Sequence, residues 1–356
     1  MVRQCQHGYV MWALELMQEN RSSKRFMTNV INFANQISAL GKRNCLVADR
    51  ALEVYAKELA LLIEAPLLLV PRGEACKTRL QKEAIEDFLF ARSFGKDSCL
   101  IGVGGGSVHD LVGFTASTYC RGITFVNIPT TLLAMVDACI GSKTAINTSY
   151  GKNMLGSLWP ATLTLMDTHF LKTLEPVEVA AGAMEMVKHA LIADAKYLEE
   201  LLIGPVTDLD LIQKSIVIKE AICKKDPLEE KERLLLNFGH TVGHAIEAYF
   251  SYAISHGIAV GFGMKVESAL SYIQGWLSKE DYQHIVYVIE ALSNFALPFT
   301  PEPYKLIEYM RRDKKALHGI IRVSALEKIG KPKAFGGSFC TPCSEELLSK
   351  ALSIIF

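Results

Sequence analysis

The sequence predicts an α/β N-terminal domain with a Rossmann-like parallel sheet, followed by a mostly α-helical C-terminal domain. Before residue 170, short β-branched or leucine-rich segments alternate with helical patterns, which is typical of βαβ units. Beyond Pro176, apolar residues recur at helical spacing with few strand signals. A chain of 356 residues is long enough for two domains. Because the segment from Leu174 to Pro176 breaks the sequence pattern of the first half, we place the domain boundary there and expect one domain at 1–174 and another at 175–356.

Five segments of the first domain are predicted to be strands, namely 45–48, 67–70, 99–103, 123–128 and 162–166. In the second domain, three long segments place apolar residues on one helical face, namely 177–194, 209–226 and 257–273. One exception in this half is a possible strand at 319–326. The apolar residues from Tyr9 to Met17 are expected to pack as a helix or an edge strand.

Composition excludes several classes of function. Lys+Arg and Asp+Glu balance at 38 each, so net charge gives no sign of nucleic-acid or anionic-membrane binding. The most apolar run, 61–70, is shorter than the ~20 residues of a membrane span. The N-terminus lacks the pattern of a secretory signal, and nine cysteines are scattered without a repeating spacing, which indicates reduced thiols and a cytoplasmic protein. Cys340 and Cys343 form a CxxC that we interpret as a packing or turn element.

A glycine turn joins the third predicted strand to a helix. The segment 99–114 reads CLIGVGGGSVHDLVGF, with Asp110 in the first turns of the helix. Glycines at such a turn let the backbone approach a pyrophosphate, whose charge is met by amides at the helix N-terminus. The same turns also serve tight strand–helix packing, and the spacing is not GxGxxG, so the motif alone leaves both interpretations open.

Phosphate-binding residue types follow this turn. Arg121-Gly precedes NIPTTLLAMVDACIGSKTAINTSYGKNMLGS, in which Lys143, Lys152 and Asn153 lie among glycines and hydroxyl residues. Two lysines and an asparagine in such a segment are typical of a phosphate site. With the later GAMEMVKH and NFGHTVGH, these motifs resemble the 3-dehydroquinate synthases of the sugar-phosphate cyclase family. The resemblance covers about residues 40 to 335 in family order and implies a dehydroquinate synthase-like fold.

Histidines and one carboxylate of the second half suggest a metal centre. Glu185 and Lys188 share a helix face, and His240 and His244 lie one turn apart, with His256 further on. Taken singly, the histidines would be packed core residues and the Glu-Lys pair a surface ion pair. Two imidazoles and a carboxylate, however, are a common catalytic zinc set. The resemblance implies that Glu185, His240 and His256 bind Zn²⁺ or Co²⁺ in this domain and that His244 contacts substrate.

The resemblance also implies the remaining site residues. Implied catalytic residues are Lys188, His244, Asn237 and Asp137. Implied substrate-binding residues are Arg121, Lys143, Asn153, Lys219, Arg233 and Lys315. Implied NAD-binding residues are Asp49, Glu74, Lys77, Gly105, Gly106, Ser107, Asp110, Thr130, Thr131, Asp137, Lys143, Lys152, Phe170 and Thr173.

The family's reaction belongs to the shikimate pathway. It converts 3-deoxy-D-arabino-heptulosonate 7-phosphate to 3-dehydroquinate and phosphate, through transient oxidation by NAD, phosphate elimination, re-reduction and aldol closure. The substrate is anionic at both ends, so the resemblance implies that Lys143, Asn153 and Arg121 face its phosphate. Arg121 would reach in from a neighbouring subunit, which implies a homodimer. Lys219, Arg233 and Lys315 would face the carboxylate.

Four positions depart from the family's usual residues. Ser107 and His109 stand where small or apolar groups are usual, and Ser142 replaces the second glycine of GGK. Ile258 follows His256-Gly where the family generally has glutamate, which we expect to weaken the orientation of the metal site.

Three alternatives stay open. The glycine turn also resembles the iron-dependent alcohol and glycerol dehydrogenases, which lack the segments around Asp137 and Lys152. A second cyclase substrate, sedoheptulose 7-phosphate or glucose 6-phosphate, has no carboxylate for Lys219, Arg233 and Lys315. The departures at Ser107, His109, Ser142 and Ile258 also allow a non-catalytic paralogue.

Overall fold

A computed structural model describes residues 21–312 and 320–356. The chain forms two compact units, one of Met1–Ile128 with Thr144–His169 and the other of Pro129–Lys143 with Phe170–Phe356. The segment Tyr9 to Met17 lies outside the described residues, as does Lys315. None of the described helices has the length and apolarity needed to cross a bilayer.

A five-stranded sheet forms the centre of the first unit. Its strands are β1 Arg43–Asp49, β2 Leu67–Val70, β3 Ser98–Gly104, β4 Thr124–Pro129 and β7 Leu163–Thr164, in the order β2-β1-β3-β4-β7. Pairing is parallel from β2 through β1 to β3 and between β4 and β7. All five predicted strands and the parallel sheet are confirmed. Strand order reverses between β1 and β3, and in open α/β sheets ligands bind at the carboxyl ends of the strands at such a point.

One helix precedes the first strand of this sheet, and three helices follow β1, β2 and β3 in turn. They are α1 Arg21–Ser38, α2 Glu53–Leu62, α3 Arg79–Phe90 and α4 Gly106–Thr118. Every residue of β3 is buried, so its near-continuous apolar sequence is that of a strand covered on both faces. The core around it combines β-branched and aromatic side chains such as Val112 and Phe125. A hairpin of β5 Lys143–Thr148 and β6 Gly151–Leu158 adds a separate two-stranded sheet.

The second unit is mostly helical. Its helices are α5 Pro176–Ala193, α6 Ala195–Ile203, α7 Leu209–Lys225, α8 His240–Tyr249, α9 His256–Ile273, α10 Lys279–Ser293, α11 Pro303–Arg312 and α12 Glu345–Ile355. Four short strands accompany them, β8 Arg322–Ser324, β9 Leu326–Lys328, β10 Lys331–Pro332 and β11 Cys340–Pro342. The predicted helical half is confirmed, and β8 and the start of β9 lie in the segment 319–326 that we marked as a possible strand.

Buried small residues let the central helices of this unit approach closely. A Cβ on Gly257 would lie 2.0 Å from the carbonyl oxygen of Ala181, so α9 begins in backbone contact with α5. A Cβ on Gly263 would lie 1.9 Å from the carbonyl oxygen of Gly239, so the start of α8 packs equally tightly on α9. These contacts bring together the three helices that carry Glu185, His240 and His256.

Candidate active site

Glu185, His240 and His256 converge on one point of the second unit. Glu185 Oε1 lies 3.7 Å from His240 Nε2 and 3.7 Å from His256 Nε2. Two ligand atoms about 2.1 Å from one tetrahedral metal lie about 3.4 Å apart, so the observed spacing suits a divalent cation. Glu185 is fully buried, and its Oε1 accepts no hydrogen bond within the described residues. A bound cation would satisfy this oxygen, so the three side chains fit a metal ion.

Helix α8 places two histidines on one face, as predicted. Gly239 precedes the helix with φ +80°, and a Cβ there would lie 2.5 Å from Met264, so the turn requires glycine. The rings of His240 and His244 lie 5.5 Å apart, and the His244 ring lies 5.8 Å from that of His256. His244 therefore borders the cluster.

Glu247 orients His256. Its Oε2 lies 2.9 Å from His256 Nδ1, which leaves Nε2 directed at Glu185. Burial alone would lower the pKa of His256, but the hydrogen bond to Glu247 and its charge raise that pKa above the ordinary value. A carboxylate on the second nitrogen is the usual partner of a metal-ligating histidine.

We missed Glu247 in the sequence, although it lies three and seven residues after His244 and His240 on one helix face. Its carboxylate supplies the orientation that the apolar Ile258 cannot. Glu247, in the preceding helix, therefore offsets the weakening of the metal site that we expect from Ile258.

A buried network of charges adjoins the cluster. The Lys188 ammonium donates to Glu185 Oε2 and lies 3.7 Å from Asp137 Oδ1. Lys219 donates to both Asp137 Oδ1 and the Asp137 backbone carbonyl, at 2.6 Å each. Asp137 belongs to a π-helical turn, Ala134–Ala138, which suits a functional position. Two cations thus serve two carboxylates, in agreement with the rule that buried charges are paired.

This pairing fixes the charge states. Burial alone would raise the pKa of Asp137, but the Lys219 and Lys188 ammonium groups hold it well below its usual range. Burial alone would lower the pKa of Lys188, yet Glu185 and Asp137 raise it above normal. Lys188 is therefore a cation and Asp137 an anion at neutral pH.

His189 lies beside Asp137. Its Nε2 lies 3.9 Å from Asp137 Oδ1, and its Nδ1 lies 2.7 Å from the Ser215 hydroxyl. Burial, followed by the charge of Lys188, lowers the pKa of His189 well below the ordinary value, so the ring is neutral. We missed His189 because a histidine after Lys188 has no motif of its own.

A second group of side chains surrounds the loop before α8. Arg233 is buried and donates from Nη2 to the carbonyl of Gly141 at 2.6 Å and from Nη1 to that of Pro227 at 2.9 Å. Lys143 donates to Glu229, which also accepts from Asn237 Nδ2 at 3.1 Å. Burial lowers the pKa of Lys143, and Glu229 only partly opposes this. Glu229 is a further residue that we missed.

Ser142 is strained beside this group. Its φ is +62°, a left-handed conformation that costs an L-residue about 1–2 kcal/mol. Replacing Ser142 with glycine removes this strain, but glycine itself costs about 0.5–1 kcal/mol because its unfolded chain is more flexible. We expect Ser142→Gly to raise the free energy of unfolding by about 0.5–1 kcal/mol in urea titrations.

A matched control runs in the opposite direction. Gly275 has φ +68° with open space around its Cα, so Gly275→Ser is expected to lower stability by a similar amount. A lower stability of Ser142→Gly would show that the hydroxyl makes a contact outweighing the strain.

The glycine turn of the first unit follows β3, as predicted. Asp49 ends β1, and Gly104 ends the neighbouring β3. A Cβ on Gly104 would lie 2.7 Å from Val108 Cγ2, so the first glycine lets the helix pack on the strand. Helix α4 begins at Gly106 without a side-chain cap, which leaves first-turn amides for an anion. These features fit the pyrophosphate and a ribose hydroxyl of a dinucleotide.

Polar side chains cluster beside this turn. Lys77 is buried and donates to Asp110 Oδ2 at 2.6 Å and to Asn153 Oδ1 at 2.5 Å. The Ser107 hydroxyl donates to Glu74 Oε1 at 2.8 Å. Lys77 Nζ also lies 3.8 Å from Glu74 Oε1, so five residues implied by the resemblance form one network.

Asn147 extends this network and was missed in the sequence. Its Nδ2 donates to Glu74 Oε2 at 2.6 Å, and its Oδ1 accepts from the backbone N–H of Asn153 at 2.9 Å. Burial alone would raise the pKa of Glu74, but Lys77, Asn147, Ser107 and Lys152 lower it below normal.

His109 is compatible with the turn. It is fully buried, and its Nε2 lies 2.9 Å from the carbonyl oxygen of Gly104. Burial lowers its pKa to about 4, so the ring is neutral at pH 7 and donates to that carbonyl. This departure from the family pattern therefore adds a hydrogen bond to the turn.

Other residues implied by the resemblance have local roles. Thr131 Oγ1 accepts from the Ala134 amide at 3.2 Å, and Thr130 is buried nearby in sequence. The Thr173 hydroxyl donates to the carbonyl of the buried Phe170 at 3.0 Å. Arg121 is exposed on the first unit.

Two family models match the chain. The model of the 3-dehydroquinate synthase N-terminal region matches residues 67–181, and that of the C-terminal region matches residues 182–316. A 3-dehydroquinate synthase of Psychrobacter cryohalolentis is 38% identical over 300 residues, which cover 81% of this chain and 80% of that protein.

Solved structures show the same fold. The 2-epi-5-epi-valiolone synthase of Streptomyces hygroscopicus subsp. jinggangensis, with NAD⁺ and Zn²⁺ bound, has a TM-score of 0.80 and 26% identity, covering 89% of this chain and 92% of that one. A 2-deoxy-scyllo-inosose synthase with carbaglucose-6-phosphate, NAD⁺ and Co²⁺ has a TM-score of 0.79 and 25% identity, covering 87% and 90%.

The matches and the geometry agree. The two family models together span more than half of the chain, and they include the glycine turn, Asp137, Glu185 and both histidine motifs. The chain therefore belongs to the 3-dehydroquinate synthase family.

Proposed function

We propose that this chain is a 3-dehydroquinate synthase that converts 3-deoxy-D-arabino-heptulosonate 7-phosphate to 3-dehydroquinate and phosphate. The observation that carries the proposal is the convergence of Glu185, His240 and His256 beside the buried pairs of Lys188 and Lys219. When bound, NAD supplies a hydride acceptor and donor, and the divalent cation supplies Lewis acidity.

Cations at two ends of the substrate suit its two anionic groups. We assign Lys143, Asn153 and Arg121 to the phosphate. Burial lowers the pKa of Lys143, and its ion pair with Glu229 is available for exchange with a phosphate. We assign Lys219, Arg233 and Lys315 to the carboxylate. Two carbonyls hold the Arg233 guanidinium, while its Nε meets no acceptor within the described residues.

Four residues suit roles in catalysis. Lys188 is a buried cation that favours negative charge developing on substrate oxygens. Asp137 fixes the ammonium of Lys219 through two contacts of 2.6 Å. His244 borders the three metal-binding side chains, where its imidazole can hold a proton from a substrate hydroxyl. The side-chain amide of Asn237 suits a hydrogen bond to a substrate hydroxyl. The substrate's phosphate oxygen serves as the base for its own elimination.

We assign the NAD-binding role to the network around the glycine turn. The uncapped start of α4 and Lys77 and Lys152 suit the pyrophosphate, while Asp49 and Glu74 suit hydroxyls of the ribose. We also propose a homodimer, in which Arg121 completes the site of the second copy, and a cytoplasmic location, which suits the protein's thiols.

Phosphate release tests this function. We expect the purified protein to release phosphate from the seven-carbon acid phosphate without net consumption of NAD. A chelator is expected to abolish the release, and added Zn²⁺ or Co²⁺ to restore it. The protein's metal and NAD contents are measured on the same sample.

Sedoheptulose 7-phosphate is the matched control substrate, because it keeps the phosphate but lacks the carboxylate. We expect it to react at least about 100-fold more slowly, since it has no carboxylate to contact the cations assigned to that group. Equal rates, or release that survives complete removal of metal, would contradict the proposal.

A further inference from the structure

The turn that carries Arg121 has a strained backbone. Three successive residues, Cys120, Arg121 and Gly122, have φ values of +48°, +61° and +102°. Glycine adopts this region readily, but two successive non-glycine residues do so only when their surroundings hold them there. Strain of this kind concentrates at functional sites.

Lys96 holds this turn. Its ammonium donates to three successive carbonyls, those of Cys120 at 3.4 Å, Arg121 at 3.2 Å, and Gly122. An ammonium has three donors and no acceptor, so one Lys96 side chain can bind all three oxygens. The loop of Lys96 is itself tied to the turn, because the Tyr119 hydroxyl donates to the carbonyl of Phe94 at 2.8 Å.

Trp159 also packs on the turn. A Cβ on Gly122 would lie 2.3 Å from Trp159 Cη2, so the indole packs directly on the glycine. Its Nε1 donates to the carbonyl of Ile123 at 3.2 Å. Lys96 and Trp159 therefore both hold the backbone of the turn.

The side chain of Arg121 is left for an outside partner. It is exposed, and its guanidinium makes no hydrogen bond or ion pair within the part of the chain that the structure describes. A fixed backbone beneath a long exposed side chain reduces the entropy lost when the guanidinium binds a phosphate.

We propose that Lys96 is a positioning residue that orients Arg121 toward the substrate phosphate in the second copy of the chain. This rests on the proposed function, which assigns Arg121 to that phosphate. Lys96 does not itself touch the substrate. It acts by binding the three carbonyls of the turn.

Two variants of Lys96 provide the first test. Lys96→Met keeps the length of the side chain but removes its donors, and it is expected to raise KM for the seven-carbon acid phosphate about tenfold while kcat changes less than about twofold. The Kd for inorganic phosphate should rise in parallel, and NAD affinity should stay unchanged. Lys96→Arg retains donors and should recover most of the loss. The control Lys57→Met removes an exposed lysine paired with Glu53 at 2.6 Å and should change neither constant.

A double-mutant cycle separates positioning from general destabilisation. In an Arg121→Met background, Lys96→Met should have no further effect on KM or on phosphate affinity, because it acts through Arg121. An undiminished effect in that background, a change in NAD affinity equal to that in phosphate affinity, or a silent Lys96→Met would overturn the proposal. Calorimetry with inorganic phosphate keeps the two proposals distinguishable. Coupled losses of phosphate affinity without any turnover would support Lys96 while contradicting the proposed reaction.

Discussion

Replacing His240 with alanine is expected to remove the divalent metal and to lower phosphate release at least about 10³-fold, or about 4 kcal/mol of transition-state stabilisation. His240 is one of the three ligands that we assign to the cation, and a carboxylate and one imidazole bind a cation far more weakly than the full set. The imidazole is largely buried but borders the site, so truncation leaves the core intact. Metal content and phosphate release are measured on the same preparation.

His284→Ala is the matched control. His284 lies on α10, where its Nε2 is 2.7 Å from Glu199 Oε1 on α6. Its removal takes away one surface histidine and is expected to change neither metal content nor rate. Normal metal content in His240→Ala would show that the cation is bound elsewhere and would refute the assigned ligand set.

Replacing Asp137 with asparagine is expected to lower the free energy of unfolding by about 3–5 kcal/mol at pH 7. The amide leaves the ammonium of Lys219 without its charged partner and removes the charge facing Lys188, and breaking a buried pair in this way is strongly destabilising. Urea unfolding, followed by the midpoint and the slope of the transition, measures the loss.

The loss should shrink in acid. Asp137 has a lower pKa in the folded protein than in the unfolded chain, where the pKa of an aspartate carboxyl is about 3.9. Its stabilising contribution is therefore complete above that value and disappears as pH falls through the folded pKa. The wild type should lose stability below about pH 4 while Asp137→Asn, which cannot titrate there, loses less.

Asp210→Asn controls for a general effect of removing one carboxylate. Asp210 is exposed in the first turn of α7, the helix that also carries Lys219. We expect a change within about 0.5 kcal/mol and no pH dependence beyond that of the wild type. A loss equal to that of Asp137→Asn, or one that grows in acid, would contradict the charge states described for the network.

The sequence determined the central strands of the first half and the helical character of the second. Apolar runs of four to six residues between helical patterns predicted all five strands of the parallel sheet, because a strand covered on both faces needs a nearly continuous apolar segment. Apolar residues at helical spacing after Pro176 predicted the helices of the second half, because a helix buries one apolar face. The β5–β6 hairpin was missed, because β5 is only partly buried and most of β6 is exposed, so neither strand has the nearly continuous apolar sequence of the central strands.

The motifs also determined which residue types gather at the site. Residues such as Lys77 and Asp110, named through the resemblance, are hydrogen-bonded to each other although 33 residues separate them. The motifs did not predict the hydrogen-bonding partners that hold these side chains in place. Glu247, Glu229, Asn147 and Lys96 stand in ordinary polar positions of the sequence.

The motifs and the resemblance thus name the side chains that we assign to the metal, whereas they do not show that these side chains meet at one point. Glu185 and His256 are brought together because Gly257 lets α9 touch the backbone of α5, a contact between residues far apart in the chain. The sequence by itself determined the strands, the helices and the chemistry that each motif offers, because these depend on neighbouring residues. Only the tertiary structure decided that Glu247 orients His256 and that Lys96 holds the Arg121 turn, because the distance between two side chains is set by how whole helices and loops pack.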